Sequence, residues 1–105
     1  EPLYHEALTG RRKLLGDRHP DTLRSVTNLA NLLNDRGNYT GAELLHRETL
    51  GTRREILGNS HPDTLRSVEG LGIALHDLGE VVAAEEYLRE ALEARMRLLG
   101  NEHPD

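Results

Sequence analysis

The chain has 105 residues, 36% of them hydrophobic, a formal net charge of −5 and no cysteine. This length suits one small domain with a thin core; the missing cysteines exclude a disulfide framework and a thiolate zinc site, and they suit a reducing, cytoplasmic setting. The charged residues, 30% of the chain, are mixed in sign, and Tyr4, Tyr39 and Tyr87 supply no stacking platform, so nucleic acid is not an expected partner; no segment approaches the roughly 18 apolar residues of a membrane span.

The string HPDTLRSV begins at His19 and again at His61, and HPD returns at His103, so the chain repeats every 42 residues. A unit of roughly 20 to 50 residues signals a stacked repeat architecture, not a closed globule. In chain order, the first expected helix covers about 2–15 and stops at Gly16. The second covers about 20–36. There Leu23, Val26, Leu29, Ala30 and Leu33 recur at spacings of three and four on one stripe, Pro20 and Asp21 mark the start, and Gly37 marks the end.

The third helix is expected over 39–57, with Ala42, Leu45, Thr49, Thr52 and Ile56 on one stripe and Leu50 and Leu57 widening it. Gly41 and Gly51 each cost this helix about 1 kcal/mol relative to Ala, so it depends on packing. Gly58 stops it. The fourth, over 62–78, repeats the second with Leu65, Val68, Leu71, Ala74 and Leu75, and the fifth covers 81–99 and stops at Gly100. Leu29 beside Ala30, and Leu71 beside Gly72, pair a bulky residue with a small one and so allow close helix approach. The short connections imply five antiparallel helices with no strand. The chain starts on a second-type helix and stops where a first-type helix should begin, which leaves Leu3, Leu8 and Leu14 at one end and Tyr87, Leu88, Leu92 and Leu98 at the other without a cover. A fragment of a longer array, or self-association through the ends, is the expected reason.

The chemistry-bearing residues point away from catalysis. His19, His61 and His103 sit one unit apart, too far to share a metal, and no histidine pair has the i, i+4 spacing of a helical zinc site, so no metal or other cofactor is expected. Ser25 and Ser67 fall inside helices, and Gly70 and Gly72 are not followed by the Lys-Ser or Lys-Thr of a phosphate loop. Glu43, Glu48, Glu85, Glu86 and Glu90 read as solvated faces paired with Arg47, Arg53 and Arg89. HPD also occurs in a loop of J-domain co-chaperones, but here it stands at every junction, after a helix-stopping glycine, and reads as a helix start.

The segment SVTNLANLLNDRGNYTGAELLHRETL from Ser25 to Leu50 resembles a tetratricopeptide repeat. The 42-residue period, with GNYTGAE, RRxxLG and HPDTL, is similar to the extended repeats of the kinesin light chain family, and the resemblance covers the whole chain. It implies an all-α, right-handed superhelical solenoid, with residues 1–105 forming a single domain in phase 1–42, 43–84 and a partial 85–105. It also implies a non-catalytic scaffold that binds a peptide or partner segment along the concave face of the first helices. On that face it places Arg24, Thr27, Asn28, Asn31 and Asn34 in one unit, and Arg66, Glu69, Gly70, Ile73 and His76 at the matching positions of the next. Gly70 lacks the amide that Asn28 supplies, so the second unit looks depleted. An acidic peptide is the expected ligand, because Arg24 and Arg66 are the cations of that face. The competing expectation is a structural spacer in which these arginines merely pair with Asp21, Asn28 or Asp63 on the surface.

Overall fold

The structure is a computed structural model that describes residues 18–102. The helix expected over 2–15, its stop at Gly16 and the apolar residues Leu3, Leu8 and Leu14 lie outside the described residues. Among those described, four helices and no strand are found: α1 (Pro20–Asp35), α2 (Tyr39–Leu57), α3 (Pro62–Asp77) and α4 (Val81–Glu102).

The repeated HPD opens α1 and α3, and its histidine does more than precede the helix. His19 and His61 are the N-caps, and their Nδ1 atoms accept the backbone N–H of Asp21 and Asp63 at 3.1 and 3.0 Å. One orphan donor of each first turn is thereby satisfied, while proline occupies a position whose missing N–H costs nothing. Asn38 performs the same service for α2, its Oδ1 accepting from Gly41 N–H at 3.0 Å. Gly37 and Gly79 close α1 and α3 with φ near +85° and +88°. Asn38 N–H then reaches Leu33 O at 2.8 Å and Glu80 N–H reaches Leu75 O at 2.9 Å, the Schellman pattern. This closure ends each helix one residue sooner than the periodicity suggests.

Each helix packs on the one that follows it, and α1 also touches α3 lightly. Val26 and Leu29 of α1 form one core with Leu33 and Leu45, and a larger one joins Leu50 of α2, Val68, Leu71 and Leu75 of α3, and Ala84 and Ala91 of α4. Burying a leucine such as Leu71 contributes about 1.5–3 kcal/mol. The small residue beside it sets the approach of α4: a Cβ on Gly72 would meet Leu88 Cδ2 at 2.8 Å.

Two expectations are corrected. The buried stripe of α2 is Ala42, His46, Thr49, Leu50 and Arg53, whereas Ile56 and Leu57 are exposed. Spacings of four, three and four still define the stripe, but three of its members, His46, Thr49 and Arg53, are polar, so a search for apolar residues alone rotates the helix away from its true contact face. The second correction concerns Gly100. It does not stop α4, which runs on to Glu102, because glycine permits a left-handed closure without imposing one.

Candidate functional site

Helix α2 packs against both α1 and α3, and the cleft between those two holds two adjoining cavities. The larger, about 400 Å³, lies toward the helix starts. Arg24, Thr27, Asn28 and Asn31 line it from α1, Arg53, Ile56 and Leu57 from α2, and Asp63 and Arg66 from α3, with Arg18 and His61 at the edges. The smaller, about 260 Å³, shares Thr27, Asn31 and Arg66 with it and adds His46, Glu69, Gly70 and Ile73. Eight of the residues marked in the sequence thus line one continuous cleft: Arg24, Thr27, Asn28, Asn31, Arg66, Glu69, Gly70 and Ile73. Asn34 lines neither cavity. Its Nδ2 donates to Asp77 Oδ2 at 3.1 Å, making it a strut between the ends of α1 and α3.

The side chains differ in how free they are to meet a ligand. Arg24 lies 3.6 Å from Asp21 and Arg66 3.2 Å from Asp63, each pair three residues apart and solvent-exposed. Such pairs contribute roughly 0–1 kcal/mol and exchange readily for another anion. Thr27 donates its hydroxyl to Leu23 O at 2.9 Å, and Asn28 and Asn31 are exposed. Glu69 is held by Arg95 of α4. Arg54 of α2 pairs similarly with Glu90, through two bonds of 2.7 and 3.0 Å, and Arg47 with Glu43 at 2.7 Å. The expected surface pairing therefore exists for Arg47 but not for Arg53.

Arg53 is the group the sequence reading missed. Only 7% exposed, it donates through one nitrogen to Asp63 O at 3.1 Å and to Ser67 Oγ at 3.0 Å. No carboxylate pairs with it among the described residues. Burial pushes its pKa down from the usual arginine value; the nearby Asp63 opposes the shift, and the positive charges of Arg66 and Arg24 add to it. Its recurrence in the RRxxLG segment at Arg11 was visible, but a charged residue next to a second arginine carries no signal of burial.

His46 is a second buried polar group that the sequence does not single out. It is 2% exposed, and its Nδ1 has no hydrogen-bond partner. Burial first, and then the charge of Arg53, hold its pKa down at about 4, so it is neutral at pH 7. The imidazole rests where a side chain on Gly70 would be. Gly70 is therefore a seat for His46, not merely a missing amide in the cleft.

Among the described residues no group of three His, Cys, Asp or Glu is placed to hold a metal ion, and no helix is long and apolar enough to cross a membrane. A family model described as tetratricopeptide repeat matches residues 1–21, 22–63 and 64–105. Its boundaries after Asp21 and Asp63 fall in the first turns of α1 and α3, at the repeated HPD. Comparison with curated proteins gave no match.

Proposed function

Because the chain belongs to the tetratricopeptide repeat family, whose repeats are generally non-catalytic protein-interaction modules, we propose that it holds an extended segment of a protein partner in the cleft between α1 and α3. In this reading residues 1–105 are one right-handed superhelical domain of kinesin light chain-like repeats, and the cleft is its concave face. The observation that carries the reading is the continuity of the two cavities, joined through Thr27, Asn31 and Arg66. Four arginines face one aspartate along the larger cavity, so an acidic segment is the favoured ligand. Arg24, Asn28 and Arg66 are the contacts expected to matter most: the arginines are bound only by weak surface pairs, and the amide can bond a peptide backbone.

The test is a peptide array probed with the full chain, followed by titration of the best peptide against wild type and the Arg24→Glu/Arg66→Glu double variant. Both arginines are exposed, so far-UV circular dichroism should be unchanged while binding is abolished. Unchanged affinity sinks the assignment.

A second reading, self-association through an exposed apolar face, is favoured by α4. Leu92 is 59% exposed, although Leu50, one 42-residue period earlier, is 5% exposed, and Met96 and Leu99, four and seven residues on in the same helix, are exposed as well. Light scattering across a concentration series decides it: a monomer throughout ends self-association.

A further inference from the structure

The cleft contains a buried cation with no anion of its own. Of the arginines that line the larger cavity, Arg18 has Glu55 at 2.9 Å, Arg24 has Asp21 and Arg66 has Asp63. Arg53 alone has none among the described residues, although it is the one removed from water. Burying an unpaired charge is costly, and polar bonds to Asp63 O and Ser67 Oγ offset that cost only in part. We propose that the site accepts a phosphoryl group carried by a serine or threonine of the partner segment, held by Arg53 together with Arg24 and Arg66. This rests on the reading of the cleft as a ligand-binding face and names the chemistry of its ligand.

Three features select phosphoryl over carboxylate. The guanidinium groups are rooted on three different helices, and the charges of Arg24 and Arg66 both act on Arg53, so they share one region of space. A carboxylate offers two oxygens in one plane and is satisfied by a single arginine fork, whereas a phosphoryl group carries about −1.5 to −2 charge and three acceptor oxygens. One of those oxygens can be directed to each helix. The added charge matches what is available, namely the unpaired Arg53 and two arginines whose present partners are exposed and weakly held.

The source of the phosphoryl group also follows. The chain carries a net charge of −5, which repels an extended polyanion such as a membrane surface or a nucleic-acid backbone. The site is a concave cavity with Leu23, Ile56 and Leu57 in its wall. That shape and lining suit one phosphorylated side chain flanked by an apolar residue.

The experiment titrates the full chain, observed by NMR at the arginine Nε–H groups, with N-acetyl-phosphoserine methylamide and with the aspartate and serine counterparts. The phosphorylated compound is expected to bind at least tenfold more tightly than the aspartate one. Its affinity should rise as pH passes upward through the second phosphate pKa of about 6, while that of the aspartate compound stays flat. Arg66→Gln, at an exposed position, should weaken phosphoserine binding about tenfold with the fold intact, and Arg53→Lys, which keeps the charge but loses the fork, should do the same. Equal affinity for aspartate and phosphoserine overturns the phosphoryl inference and leaves the cleft reading standing. No binding of either compound, with the array also blank, overturns both. Tighter binding to phosphatidylcholine vesicles doped with phosphatidylinositol bisphosphate than to phosphoserine overturns the assignment to a protein partner.

Discussion

Replacing Gly70 by alanine tests the contact between α2 and α3 most directly, because two opposing effects of known size meet at one atom. In a helix interior the change from glycine to alanine is worth about 1 kcal/mol in favour of the folded state. At Gly70, however, the new Cβ would collide with the His46 imidazole, with Nδ1 at 2.7 Å and Nε2 at 2.8 Å. The ring is 2% exposed and cannot swing aside without displacing its neighbours. Forcing an extra carbon into a packed site costs about 1–3 kcal/mol, so Gly70→Ala should be destabilising by about 1 kcal/mol net. Gly51, within α2, provides the control: a Cβ there meets nothing within 4 Å, and Gly51→Ala should stabilise by about 0.5–1 kcal/mol. Thermal denaturation followed by circular dichroism should place the two variants on opposite sides of wild type, separated by about 10 °C in Tm for a domain of this size. In a His46→Ala background the sign at Gly70 should reverse, since the obstructing ring is gone. If Gly70→Ala alone raises stability as Gly51→Ala does, His46 is not wedged against α3 and the account of that interface is wrong.

Other outcomes follow from the same geometry. His46 is kept neutral by burial, with a pKa of about 4 in place of 6.5, so the unfolded chain binds the extra proton first. The stability that depends on neutral His46 is complete above about pH 6.5 and is lost as pH falls toward 4, amounting to about 2 kcal/mol between pH 7.5 and 5. His46→Leu, which installs the residue found at Leu88 one period later, should flatten this part of the pH profile in urea titrations. His61→Ala removes the acceptor of Asp63 N–H and should cost about 1 kcal/mol; a loss confined to binding, with no change in the denaturation midpoint, would contradict the capping role. Leu71→Ala opens a void in the fully buried centre of α3 and should cost about 2–5 kcal/mol by the same denaturation assay.

The architecture was legible because repetition and punctuation agree. The 42-residue period, proline at each first-type helix start, and glycines at 37, 58 and 79 place α1, α2 and α3 to within a residue. The cleft was legible where its residues sit on the polar stripe of a first-type helix, as Arg24, Thr27, Asn28 and Asn31 do. Arg53 and His46 escaped because their burial comes from α2 packing on two helices at once, a fact of tertiary contact that no local pattern encodes. Gly70 was read by what it lacks toward the cleft; its reason lies on the opposite partner, in the ring it accommodates. Gly100 escaped for a different cause: the same residue type both ends α2 at Gly58 and continues α4, and only the backbone that follows decides which.

The order of packing among the described helices, each against its successor with only a light touch between α1 and α3, bears on how the molecule is made and unmade. Nearly every pairing joins segments separated by a single turn, so little loop-closure entropy stands before any contact, and such topologies assemble in microseconds to milliseconds. Disassembly inherits the same directionality. The chain need not open all at once: α4 can peel from α3 while α1 and α2 stay docked, because no helix is shared by every interface. Amide protons in α2 and α3, each clasped from both sides, should then be the slowest to exchange, with protection fading outward from them as a gradient instead of dropping at a single cooperative edge.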